Sequence, residues 1–409
     1  MNHPIRSSHY PKSDECAFVN EWVSAGPVAD QIASPFHVPS DLSLNDIMDK
    51  FFSKTADGAE LPAEDESNAY PRQVIYLEDW KYDHSKLSSQ VQDILNCLAL
   101  FTSVINLKGL KRYIRHLQEQ PELAGLPFHL YEEVIQGAVN RGLLTPDPQN
   151  SLLLNVQPTF PYYLKTSLYM LERKDKRRAV ETAFQQYYGR LAGAMYQLIA
   201  SNKEDENALG ELLIRPEYDN FVNALELALD SHASVINVYR LLSRYLKRRQ
   251  DHGLKLELGN KVLAALKEYP PEKLDKKLKG EFVAILGDMA KSQLSLGRYS
   301  DAEHSYLATL EIWLQDTHNA SDLMKQKSVA VYHSLGKVAQ NQGEWDQAKT
   351  YYLKGLKISG TQGDPQLMTP VLHSLFHLWR TSKDTELPAE VTALLRETDP
   401  AGEKGCCRD

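Results

Sequence analysis

Apolar residues recur every three or four positions along most of the chain, the spacing of helices with one buried face, and one such pattern occurs twice. Residues 297 to 312 read GRYSDAEHSYLATLEI, and residues 343 to 358 read GEWDQAKTYYLKGLKI. The shift, 343 − 297 = 46, holds through Gly297/Gly343, Tyr299/Trp345, Ala302/Ala348, Tyr306/Tyr352, Leu310/Leu356 and Ile312/Ile358. A ring follows each glycine by two residues, an alanine comes three later, and a second ring four after that. Alanine and second ring share a helix face, so the small side chain admits a neighbouring helix while the ring fills the space beside it. Before the second copy, YHSLGKVAQ predicts a first helix that turns Tyr332, Leu335 and Gly336 to the same core. The expected repeat core is therefore Tyr299, Ala302, Tyr306, Tyr332, Leu335, Gly336, Trp345, Ala348 and Tyr352.

An aromatic, Leu-Gly, then Gly-x-aromatic, Ala and a second aromatic resembles the tetratricopeptide repeat (TPR). The resemblance implies stacked helix pairs whose first helices line a groove for a peptide or protein segment. By register, the groove positions are Lys291 and Ser295 in the first repeat and His333, Lys337, Gln340 and Asn341 in the second. Amide and cationic side chains there suit the backbone or carboxylates of an extended ligand. Gln315 to Lys327 reads as an insertion that stretches the usual period of about 34 residues. VLHSLFHLWRTS and PAEVTALLRE lack the Gly-aromatic-Ala signature and read as a terminal capping pair. His373 and His377 stand four apart, a metal-ligand spacing, but no Asp, Glu or Cys nearby in sequence completes a site, and packing is the expected role.

Upstream, the pattern divides the chain further. Residues 1–75 are broken by Pro4, Pro11, Pro27, Pro35, Pro39, Pro62 and Pro71 and are expected to be loosely ordered, with apolar islands at Ala17–Val23 and Leu42–Phe52. The second island follows the capping residues Asp41 and Ser43 and reads as one amphipathic helix. Residues 76–170 predict three helices: one beyond Ser88 or Ser89 through Val91, Ile94, Leu95, Leu98 and Leu100, one through Leu110, Ile114 and Leu117, and one from His129 to Asn140. The turn TPDPQNS and an extended run, LLLNVQPTFPYYL, come after them. That is the outline of a winged helix. Residues 171–275 read as a helical linker with degenerate repeats, in which Phe184, Tyr187, Tyr188 and Tyr196 are core positions. The basic run Arg173, Lys174, Lys176, Arg177 and Arg178 reads as a solvated helix start. Residues 276–398 hold the repeats and capping helices, and 399–409 a flexible tail with Cys406 and Cys407.

DHSKLSSQVQDILNCLALFTSVIN, EEVIQGAVNRGLLTPDP and LLLNVQPTFPYYL, with the repeats behind them, resemble the winged-helix and TPR half of bacterial STAND (NB-ARC-type) NTPases. The resemblance implies a sensor or regulatory part of such a signalling system, with a STAND NTPase among its candidate partners. The family's phosphate loop, G-x-x-x-x-G-K-[ST], is absent from these residues. The nearest approach, Gly253 to Lys261, has its second glycine one residue late and Asn260 before the lysine. ATP hydrolysis is not carried over.

Charge and cysteine content narrow the function classes. A net charge of −8 over 409 residues disfavours general binding of nucleic acid or anionic membrane. The helix in the DNA-recognition position carries Glu132 and Glu133 against Arg141, which argues against base readout, while Lys108, Lys111, Arg112 and Arg115 keep a DNA-binding regulator as the alternative. Cys16, Cys97, Cys406 and Cys407 form neither a zinc pattern nor a disulfide framework, which suits a reducing cytoplasm. No apolar run approaches the roughly 20 residues of a membrane span, and no catalytic motif, metal or cofactor site is found. The expectation is an all-α chain, a winged-helix-like unit followed by a right-handed TPR-type α-solenoid, that binds a protein or peptide without catalysis.

Overall fold

A computed structural model describes residues 89–170, 173–315, 322–362 and 365–382. Expectations for the N-terminal 88 residues, for PAEVTALLRE and for the Cys406/Cys407 tail lie outside the described residues. The chain divides into two compact units, 1–198 with 203–224 and 199–202 with 225–409, and each is described by itself. The fold is predominantly α-helical, with 13 α-helices and three short strands among the described residues.

The first unit opens with α1 (Ser89–Asn96), β1 (Val104–Asn106), α2 (Leu107–Gln118) and α3 (Tyr131–Asn140), then β2 (Leu144–Pro146) and β3 (Leu153–Val156). α1 is shorter than its apolar run predicts, because residues 97–100 form a turn that still buries Leu98 and Leu100. The strands make one antiparallel sheet in the order β1-β3-β2, with Val104 opposite Asn155 and Leu144 opposite Val156. The order is helix, strand, two helices and a hairpin, with the first strand beside the last; β1 was not expected from the sequence. Asn106 caps α2 by accepting hydrogen bonds from the Lys108 and Gly109 amides at its Oδ1. Gly142 ends α3 in the left-handed region, at φ 71°, where glycine carries no Cβ penalty.

The extended reading of LLLNVQPTFPYYL holds only as far as Val156, since Thr159–Leu168 is a helix, α4. Pro158 and Pro161 caused the misreading. Both fall at the helix start, where the missing N–H has no intrahelical partner to lose.

Two long helices complete this unit: α5 (Lys174–Ile199) and α6 (Glu204–Asp230), whose last turn lies in the second unit. Phe184, Tyr187 and Tyr188 are buried with Phe101, Tyr113 and Phe221, in edge-to-face and tilted contacts with centroids 4.5 to 6.2 Å apart. Tyr196 is only half-buried. Pro216 sits inside α6, in a helix longer than its sequence pattern predicts. Ser103 Oγ donates to the Pro216 carbonyl at 2.9 Å, and Asn220 holds the Thr102–Val104 backbone through both ends of its amide. The basic run is not merely solvated. Arg173 and Lys176 reach opposite oxygens of Asp93, at 2.6 and 2.9 Å, tying α5 to α1, while Arg177 pairs with Glu181.

The second unit is a TPR-type helical array: α7 (Ile236–Arg248), α8 (His252–Lys267), α9 (Lys276–Ser295), α10 (Tyr299–Gln315), α11 (Asp322–Gln342), α12 (Trp345–Gln362) and α13 (Pro365–Thr381). Each helix packs on the next, and the first helices α9, α11 and α13 also touch in sequence. Residues 322–327 of the supposed insertion belong to α11, which begins at Asp322. Identical turns join the pairs. Gly297 and Gly343 are left-handed, and the following amides of Arg298 and Glu344 donate back to Gln293 and Ala339. The α7–α8 turn has the same bonds, from Gln250 to Lys247 and Asp251 to Leu246, with Gln250 in the left-handed position at φ 59°.

Candidate functional site

The repeat core places most expected residues inside. Ala302, Tyr306, Leu335, Ala348 and Tyr352 are buried, and Gly336 lies directly under the Tyr352 ring. Tyr299 and Tyr332 are half-buried against the same apolar cluster. Trp345 is a correction: in the first turn of α12 it is 38% exposed and lies outside the core.

The six expected groove residues fall into two sets. Lys291, Ser295, Lys337 and Asn341 are exposed on α9 and α11. Ser295 Oγ donates to its own helix at Ser292 O, and Asn341 Nδ2 to Lys337 O, which fixes both side chains along the surface.

His333 and Gln340 are instead used between helices. His333 Nε2 shares a hydrogen bond of 2.7 Å with Ser374 Oγ of α13, and its ring lies 5.8 Å from the Tyr352 ring. Burial, and then the Lys337 charge, pull its pKa down to about 4. Gln340 accepts from Tyr352 Oη at 2.9 Å and donates from Nε2 to His377 Nδ1 at 3.1 Å. A ladder of side-chain bonds thus joins consecutive first helices where groove positions open to a ligand were expected. His377 meets Gln340 through it, while His373 is exposed.

A second ladder, which sequence reasoning missed, joins the degenerate pair to the first good repeat. Lys255 of α8 is buried, with Nζ 3.2 Å from Asp288 Oδ1 and 2.7 Å from Ser292 Oγ. Asp288 Oδ2 also accepts from Tyr239 at 3.0 Å and Ser243 at 2.6 Å, both on α7. The burial of Lys255 is tolerable because every charge-bearing atom has a partner. Glu281 of α9 is likewise buried and accepts from Ser234 Oγ and the Val235 amide at the start of α7.

These bonds decide the charge of the surface that remains. On the three first helices the carboxylates are Glu281 and Asp288 of α9, both engaged inward, and Asp322 at the start of α11; α13 has none. Exposed on them are Lys276, Lys277, Lys279, Lys291, Lys327, Lys337 and Arg380. Among the described side chains, the exposed charges of these helices are cationic, in a chain whose net charge is −8.

In the first unit, the exposed face of α3 is acidic. Glu132 and Glu133 point outward, and Lys111 of α2 is drawn to Glu132 at 3.6 Å. Cys97 is buried and its thiol is pushed up to about 12, chiefly by burial. Among the described residues no three His, Cys, Asp or Glu side chains cluster with metal-holding geometry, and no helix is long and apolar enough to cross a membrane.

No protein-family model matches the sequence, and no characterised protein matches it. Among solved structures, it is similar to a Signal Transduction ATPase with Numerous Domains (STAND) protein with a tetratricopeptide repeat sensor from Pyrococcus horikoshii. Identity is 16%, with 84% of this chain and 48% of that chain covered and a TM-score of 0.30. The chain spans about half the length of that protein, and at this score the similarity bears no further weight.

Proposed function

We propose that the repeat unit is a non-enzymatic docking surface for an acidic, extended protein or peptide segment, laid along the first helices. The observation that carries this reading is the segregation of charge. Lys291 and Lys337 occupy equivalent exposed positions, 46 residues apart (337 − 291), on helices whose few carboxylates are mostly turned inward. Two cations at helix-pair spacing suit a ligand with carboxylates distributed along an extended backbone. Asn341, fixed beside Lys337, offers an amide oxygen to the same backbone.

On the sequence resemblance alone, the chain is assigned a cytoplasmic sensor or regulatory role in a STAND-type signalling system, with nucleotide handling supplied outside these residues. The rival, a winged-helix DNA-binding regulator, finds no favouring observation, because the α3 surface is acidic.

A random-peptide display selection against the full chain tests the reading. Acidic sequences should be enriched, and the enrichment should vanish against a Lys291→Glu, Lys337→Glu double variant that melts like the parent. Enrichment of neutral or basic peptides, or equal recovery by the variant, would sink it.

A further inference from the structure

A relay of side-chain bonds ties the repeat core to its surface and gives a role to a residue that the charge pattern leaves out. Tyr352 of α12 is buried, its ring held over Gly336 of α11. Its Oη donates to Gln340 Oε1 at 2.9 Å, which leaves the amide nitrogen of Gln340 to meet His377 of α13. An amide nitrogen donates and does not accept. Nδ1 of His377, 3.1 Å away, is therefore the acceptor, and the proton of the neutral ring sits on Nε2. The other tautomer would set Nδ1–H against the Gln340 NH2, donor against donor. The exposed imidazole is thus fixed as an N–H donor by bonds that begin at a rigid buried ring.

Two neighbours of Gln340 complete the set. Lys337, Gln340 and Asn341 stand at i, i+3 and i+4 on α11 and share a face. His377, bonded to Gln340, therefore joins α13 to the side of α11 that carries Lys337 and Asn341. Asn341 engages its Nδ2 with the Lys337 carbonyl, which leaves Oδ1 as an acceptor. We infer that Lys337, His377 and Asn341 form a subsite for one acidic residue of a docked segment. Its carboxylate accepts from Lys337 Nζ and His377 Nε2, and a backbone N–H of the ligand donates to Asn341 Oδ1.

The subsite rests on the docking reading above and narrows it. Two cations alone attract any anion, whereas a directed N–H donor beside an acceptor selects a carboxylate carried on a peptide backbone. Gln340 acts through His377 as a positioning residue and needs no contact with the ligand.

The test uses the full chain at about pH 8, above the ordinary imidazole range, with labelled decaglutamate as the probe and decaglutamine as its uncharged counterpart. Long-range proton–nitrogen spectra should show Nε2 of His377 protonated and Nδ1 not, and decaglutamate should shift Nε2 while leaving Nδ1 in place. His377→Phe removes the donor and should weaken decaglutamate binding about tenfold, the loss of one charge-assisted hydrogen bond. Lys337→Ala should weaken it comparably, and His377→Gln, which keeps an N–H donor, should restore most of the affinity. Undiminished affinity in His377→Phe or Lys337→Ala overturns the subsite, while binding by the parent still supports the docking surface. A parent that ignores decaglutamate, or binds decaglutamine equally well, overturns the docking reading and the subsite with it. Protonation at Nδ1, or an Nε2 signal unmoved by the peptide, overturns the subsite even if the variants melt early.

Discussion

Tyr352 lies so close over Gly336 that a β-carbon on the glycine would come within 2.3 Å of the ring. The glycine lets α11 and α12 approach, and the Tyr352 hydroxyl then reaches Gln340 at 2.9 Å. Two effects oppose each other in Gly336→Ala. Alanine is favoured over glycine in a helix by about 1 kcal/mol, while overpacking a well-filled contact costs about 1–3 kcal/mol. Here the clashing atoms belong to a rigid buried ring, so overpacking wins. Gly336→Ala should lower stability in urea unfolding, and a gain would show that the ring can move aside.

Ala348→Trp tests the same contact from the other helix. Ala348 is fully buried in the cluster formed by α11, α12 and α13. An indole there has nowhere to go, and a loss of more than about 3 kcal/mol is expected, beyond the ordinary overpacking range. An unchanged melting temperature would contradict the packing.

At the turn between α7 and α8, Gln250 does what glycine does in the two good repeats. A non-glycine residue in the left-handed region costs roughly 1–2 kcal/mol, and Asn or Asp would have been the more tolerant choices. Gln250→Gly should therefore raise stability by roughly 1 kcal/mol, offset in part by added freedom in the unfolded chain. Chemical denaturation of the parent and the variant measures it, and no gain would mean that the turn is held without strain.

The same turn shows where the sequence was legible. Gly297 and Gly343 announce their turns because only glycine is at ease there, and with the Ala and aromatic spacing they give the helix pairs directly. Gln250 and His232, in equivalent left-handed positions, carry no such signature, so the earlier helices read only as degenerate. The groove assignment failed at His333 and Gln340 for a related reason. Register places a side chain on a face, but it does not say that Ser374 and His377 of the next first helix will be waiting there. Proline misled at Pro158/Pro161, because its meaning depends on whether the lost N–H had a partner. Lys255 could not be foreseen as buried, since its stabilising partners come from other helices.

His333 makes the repeats sensitive to acid. Its pKa falls from the ordinary 6.5 to about 4 in the folded chain, so the unfolded chain binds the proton more readily. The contribution of neutral His333 is present above pH 6.5 and is lost as pH falls through that window toward 4. Lys337 and the Ser374 and Tyr352 contacts face the ring, and protonation places a second cation beside Lys337. Unfolding followed between pH 7 and 4 should show a weaker pH dependence for His333→Gln than for the parent. Identical profiles would remove His333 as the group responsible.

Glu217 acts in the opposite direction, in the first unit. The residue is buried in α6, and its Oε2 accepts from Tyr188 Oη and Asn220 Nδ2, each at 2.8 Å. Burial raises its pKa from 4.5 to about 7, against the pull of those two donors, which favour the charged form. A folded pKa above the unfolded one means that the protonated carboxyl stabilises the fold. That contribution is fully present below pH 4.5 and is lost as pH rises from there through 7. Glu217→Gln keeps an oxygen for the two donors and, like the protonated acid, adds a donor in place of a charge. The variant should therefore match the parent near pH 5 and exceed it at pH 8 by on the order of 2–3 kcal/mol. Because Asn220 also holds the backbone from Thr102 to Val104, the gain should extend to hydrogen-exchange protection of those amides. Equal stability of the two proteins at pH 8 would mean that the buried carboxylate is solvated or compensated by another group, and the pH window assigned to it would be wrong.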